Sequence, residues 1–183
     1  DQPLNIALLD LNGFILTLGS ADSDLTVKES LIIDESTEGI STGEADLILK
    51  SALTMSDGLL QSAGGSIKFA SNQTSRFSGN AVMMLNNTKI TSDDLNAIAI
   101  IEIDGEPDLS MTDNGTAESE VSNITLTTTT DTVGSISTSG GVECLQNCTG
   151  FIETGAYGYN IHGVYRYVTS ANWLLSEAEG PRK

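Results

Sequence analysis

Apolar residues along the first 140 positions come in short bursts, with Ser, Thr, Gly, Asn and Asp between them at intervals of roughly six to eight residues. The stretch LLDLNGFILTLGS, Leu8 to Ser20, opens the pattern, and DLTVKESLIID follows closely. Within most bursts the apolar positions alternate, which is the period of a strand with one face buried. In the opening stretch, however, Leu, Phe and Ile fall on both faces, so the strands there need cover on two sides. Helix signals are nearly absent over the same span.

The bursts repeat. One strand type is an apolar pair spaced by two: Leu25 and Val27, Leu47 and Leu49, Ile67 and Phe69. Met83 and Leu85, then Ile101 and Ile103, continue the series, at steps of 22, 20, 16 and 18 residues. A second type is Leu53-Thr-Met55-Ser-Asp, Thr88-Lys-Ile90-Thr-Ser-Asp and Leu109-Ser-Met111-Thr-Asp, with Leu31-Ile-Ile33-Asp as a looser member. The gap of 35 residues from Met55 to Ile90 reads as two coils, with a degraded copy around Ser71 and Gln73. Ile40, Leu60 and Phe77 form a third, weaker set.

Three short strands per coil, with like stacked on like, are the signature of a solenoid whose coils must stack to bury a continuous core. The expected fold class is therefore all-β: a short parallel β-solenoid over residues 1–122. Residues 123–183 add Thr-rich strands and an aromatic-rich β cap continuous with it. The alternative is an antiparallel β-sandwich or jelly roll, whose strands recur at a comparable spacing.

The texture changes after Ser122. ITLTTTTDTVGSISTSGG reads as one or two edge-type strands, because Thr favours extended backbone. Most of the aromatic residues come later: Phe151, Tyr157, Tyr159, Tyr165, Tyr167 and Trp173. The tyrosines alternate with small or polar residues, as strands do. SANWLLSEAEG is expected to form a short helix capped by Ser170 and ended by Gly180.

The phrase LLDLNGFILTLGS, with DLTV after it, resembles the opening rungs of right-handed parallel β-helix proteins. These include secreted pectin-lyase-like chains and bacterial adhesin or autotransporter passenger chains. The resemblance covers about residues 5 to 115. It implies the fold and raises a polysaccharide lyase or glycoside hydrolase as the enzymatic option. Such lyases use calcium-binding acids with a basic residue that abstracts a proton; such hydrolases use paired carboxylates on neighbouring coils. Here Lys28 and Lys50 share one repeat column, and Asp24 and Asp46 share another. Lys68, Arg76 and Lys89 are the other cations within the coils. The simpler reading makes all of these solvated charges at strand ends, and no catalytic residue is assigned.

Charge narrows the function classes. The chain carries 25 acidic against 8 basic residues, a net charge of -17, and no Lys or Arg lies between Lys89 and Arg166. Such a surface repels nucleic acid and anionic lipid. No apolar run approaches the length of a membrane span, and any signal peptide is expected to have been removed. Calcium is the one cofactor the acids suggest. Asp104, Glu106 and Asp108, with Asp113 beside Asn114-Gly115, set oxygens on tight turns, although neither segment matches a known calcium loop. His162 lies in no catalytic motif and reads as structural.

Cys144 and Cys148 in CLQNC are expected to form a local disulfide, which suits an oxidising, extracellular or cell-surface location. Asn72, Asn86, Asn114, Asn123 and Asn147 each begin N-x-T and are candidate glycosylation sites. A solenoid also has open ends that can template pairing with another chain. The expected function is thus a secreted or surface-displayed structural or adhesive protein that self-associates end to end, as a homo-oligomer or extracellular filament. One end would comprise Asn5, Leu9, Leu11 and Phe14. The other would comprise Tyr157, Tyr159, Tyr165, Tyr167 and Trp173. The alternative is a protein that binds or degrades an extracellular glycan.

Overall fold

The computed structural model describes residues 3–105, 107–112, 119–128, 135–139, 141–148, 152–153, 160–161, 164–165, 168–169 and 172–174. The described chain is all-β, and its parallel strands stack as a solenoid of about five turns. The strands are best followed rung by rung. β1 (Leu4–Asp10) and β2 (Ile15–Thr17) make the first rung, and β3 (Leu25–Ile33) and β4 (Gly39–Ser41) the next. β5 (Leu47–Leu49), β6 (Thr54–Met55) and β7 (Leu59–Ala63) follow, then β8 (Ser66–Phe69), β9 (Thr74–Ser78) and β10 (Val82–Asn86). β11 (Lys89–Ser92), β12 (Ala99–Asp104) and β13 (Asp108–Thr112) lie beneath β14 (Ser119–Ser122), β15 (Ile124–Thr128) and β16 (Ser135–Ser139). The last elements are β17 (Gly141–Gln146), β18 (Ile152–Glu153), β19 (Asn160–Ile161), β20 (Val164–Tyr165), β21 (Val168–Thr169) and β22 (Asn172–Leu174).

Each rung places three strand segments on three faces. On the first face Leu4, Leu25, Leu47, Ile67, Ile90, Val121 and Cys144 lie in register, one above the next. The second face stacks Ile33, Met55, Phe77 and Ile103. The third stacks Leu16, Ile40, Leu60, Met83 and Leu109. Two long strands, β1 and β3, run across the corner between the first two faces, while later rungs break there into separate strands. In β3 the corner is Lys28, Glu29 and Ser30, which point away from the core between two alternating inward runs.

From Leu25 to Leu109 these inward columns are almost wholly buried. Each fully buried Leu, Ile, Met or Phe contributes about 1.5–3 kcal/mol. Phe69 on the first face meets Phe77 on the second edge to face, with ring centroids 6.2 Å apart. Every coil alone would leave this interior open, so the stack is a single cooperative core.

Most sequence expectations about the coils hold, and the sandwich alternative does not, since every pairing between rungs from β1 to β17 is parallel. Some members of the repeat sets change column. Met83 and Leu85 belong to the third face, and Ile101 and Ile103 to the second. Ile90 belongs to the first face and Met111 to the third, while Phe77, rather than Ser71 and Gln73, fills the gap after Met55. The expected C-terminal helix is also corrected. Asn172–Leu174 is a strand, antiparallel to Ser135–Ser137 of β16 and to β18. Residues 170–171 and 175–180 lie outside the described residues.

Candidate functional site

The first rung differs from every rung beneath it. Leu4 heads a column whose next members are buried, yet it is 49% exposed; Leu8, Phe14 and Ile15 are 57%, 71% and 56% exposed. β1 hydrogen-bonds to β3 along one edge, which leaves its other edge without a strand among the described residues. β2 stands likewise at the end of the third face, paired with β4 alone. The two are joined by a turn at Asn12 and Gly13, with φ of +47° and +84°, a conformation Asn and Gly adopt most readily.

Glu38 anchors that turn to the rung beneath. Its carboxylate accepts from the amides of Gly13 (2.8 Å), Asp34 (2.8 Å) and Glu35 (3.3 Å), and the residue is buried. The amides of Asp34 and Gly13 hold this carboxyl below its ordinary range. No sequence signal marks Glu38, because Gly13 is brought to it only by the coiling of the chain.

Of the residues assigned to this end from the sequence, Asn5 and Phe14 are exposed, Leu9 is half-buried against the core, and Leu11 turns inward and belongs to the core. Leu4, Leu8 and Ile15 are the other exposed apolar residues of this rung. Among the residues assigned to the opposite end, Tyr165 lies in β20 and Trp173 in β22; Tyr157, Tyr159 and Tyr167 fall outside the described residues. There two faces finish antiparallel: β17 pairs with β21, and β16 with β22.

The charged columns serve the stacking of the coils. Asp46 donates its amide to Asp24 Oδ1 at 3.0 Å. Its own carboxylate accepts from the Ser66 amide at 2.9 Å and pairs with Lys68 Nζ at 2.6 Å. Burial alone would raise the Asp46 carboxyl, but the Lys68 ammonium and the Ser66 amide outweigh it and hold it below its ordinary range. Lys50 pairs with Asp93, Arg76 with Glu102 and Lys89 with Glu120. Lys28 shares a corner with Lys50 on the neighbouring rung but does not share its acid.

A polar ladder also climbs the corner between the first two faces. Gln73 Oε1 accepts the Ala52 amide at 2.9 Å, and Asp93 Oδ1 accepts the Ser71 amide at 2.6 Å. Higher up, Asn123 Nδ2 donates to the Leu95 carbonyl at 3.0 Å. Its Oδ1 accepts from Asn147 Nδ2 at 2.7 Å and Gln146 Nε2 at 3.1 Å. Asn72, Asn123 and Asn147 all hold positive φ at this corner.

For the cation assignment, Asp104 ends β12 and Asp108 begins β13, while Glu106 and Asp113 lie outside the described residues. No three His, Cys, Asp or Glu side chains converge among the described residues. Cys148 is buried and disulfide-bonded, and Cys144 is the only other cysteine of the chain. Among the described residues no helix is long and apolar enough to cross a membrane. No protein family model, curated protein or solved structure matches the chain.

Proposed function

We propose that the chain is a secreted or cell-surface structural or adhesive protein that associates with copies of itself through the first rung of its solenoid. The observation that carries this reading is the exposure of the apolar residues Leu4, Leu8, Phe14 and Ile15 beside a strand edge that has no partner strand among the described residues. A second copy covers that edge by strand addition, in which backbone hydrogen bonds supply affinity and the apolar side chains supply register. The opposite end offers a poorer template, because two of its faces finish with antiparallel strands. First rung on first rung, a two-fold contact, is therefore favoured over head-to-tail growth into a filament.

The net charge of -17 opposes the contact at low salt, so association strengthens as salt screens the repulsion. Light scattering on the full-length polypeptide over a range of concentration and salt tests the proposal. The expected result is a mass that doubles with concentration and falls back to monomer in the double variant Leu8→Asp, Phe14→Asp, whose melting temperature stays near that of the parent. A full-length chain that stays monomeric throughout, as when its own polypeptide covers this edge, sinks the proposal.

A further inference from the structure

We propose that Asn72 is an N-glycan acceptor and that Asn86, Asn123 and Asn147 are left unmodified in the folded protein. The inference rests on the extracytoplasmic setting proposed above and on how differently the solenoid presents its N-x-T triplets. Asn123 is 1% exposed, and both ends of its carboxamide are hydrogen-bonded inside the corner ladder. A sugar on its Nδ2 would displace the Leu95 carbonyl from a space with no room for it. Asn147 is exposed, but its Nδ2 is spent on Asn123 and it lies beside the buried, disulfide-bonded Cys148. Asn86 is half-buried, and the third residue of its triplet, Thr88, is fully buried with its hydroxyl donating to the Asn86 carbonyl at 2.9 Å. Asn114 lies outside the described residues.

Asn72 is presented in the opposite way. It stands exposed at the corner between β8 and β9, with φ of +57°, and its amide donates to the Ile98 carbonyl at 2.8 Å, which fixes the backbone. Gln73 and Thr74 are exposed as well. Neither the Asn72 carboxamide nor the Thr74 hydroxyl has a hydrogen-bond partner among the described residues. Ile98 beside them is a partly exposed apolar side chain that the first sugar would cover.

In the transfer, Asn72 Nδ2 bonds to the anomeric carbon of an oligosaccharide carried on a lipid diphosphate. The carbon–oxygen bond to the diphosphate breaks, the diphosphate leaves with the bonding pair, and the nitrogen gives up one proton to a base of the transferase. No oxidant or reductant is needed.

The test is production of the full chain in a eukaryotic secretory pathway, with site-by-site mass spectrometry of folded material and, for any retained chain, of microsomal translation product. The expected result is glycan on Asn72 in most molecules, loss of one glycan in Asn72→Gln, and no change in glycan mass in Asn123→Gln. An unmodified Asn72, or glycan on Asn123 or Asn147 in the folded fraction, overturns the proposal. Scattering on the same material separates this outcome from that of self-association, since a glycosylated monomer contradicts only the latter and an unglycosylated dimer only the former.

Discussion

Lys50 and Asp93 form an ion pair at 2.9 Å although 43 positions separate them along the chain. Two coils of the solenoid bring them together, and the rung between them takes part, because Asp93 also accepts the Ser71 amide at 2.6 Å. One carboxylate thus ties three successive coils at a corner where each coil changes direction.

Unequal partners make unequal losses. Asp93→Ala leaves the Ser71 amide without its acceptor and removes the Lys50 partner, and is expected to cost about 1–3 kcal/mol. Lys50 is half-exposed, so Lys50→Met is expected to cost under about 1 kcal/mol. Chemical denaturation of the two variants reads the difference, and equal losses would show that the ion pair, not the amide, dominates.

Acid should loosen the corners. Burial pushes the Asp93 carboxyl up, but Lys50 and the Ser71 amide outweigh it and hold it below its ordinary range, as with Glu38 and Asp46. A carboxyl whose folded pKa lies below its unfolded value stabilises the fold fully above the unfolded value, about 4, and loses that contribution as pH falls through the folded value. The melting temperature is therefore expected to hold from neutral pH down to about 4 and then to fall steeply. Glu38→Gln should flatten part of that fall, and a melting temperature that rises with acid would contradict the assignment.

Close approach of coils is tested at Gly65. A Cβ there would lie 2.1 Å from the Ala45 carbonyl oxygen, a backbone atom that cannot swing aside. Gly65→Ala is expected to cost about 3 kcal/mol, the upper end for overpacking. Gly19 has nothing within 4 Å of the added carbon, so Gly19→Ala serves as the control and should stay within about 0.5 kcal/mol. Equal stabilities in thermal melts would mean the coils are not stacked in this register.

Much of this was legible in the sequence where coils have equal length. Leu25, Leu47 and Ile67 are spaced by similar steps, and the structure stacks them as expected. Beyond Phe69 the counting drifts. The corner from Asp93 to Ile98 lengthens one coil, and Ile90 and its neighbour Val121 stand further apart than any earlier pair in that column. Alternation says that Met83 or Ile103 points inward, but not to which face, since all three faces share the period of two. Caps and composition point to a helix around Trp173, whereas pairing with β16 makes it a strand residue, tertiary context overriding a weak local preference. At the candidate site, the two-sided apolar stretch points to Phe14, which is exposed. Leu11 went astray because the chain bends at Asn12 and Gly13, which turns it into the core. Glu38 and Asp93 bind amides supplied by other coils or by the corner itself, so they show only once the coils are stacked.

The central claim is that a second copy covers the edge of β1 that has no partner strand among the described residues. Amide hydrogen exchange within Leu4–Asp10 tests it most directly, because amides on the outer edge of β1 have no partner strand among the described residues. The expected result is fast exchange at those amides in dilute protein and marked slowing as concentration rises, with the amides bonded to β3 slow throughout. Exchange at the outer edge that does not change with concentration, in a chain otherwise protected from β3 to β13, would contradict the claim.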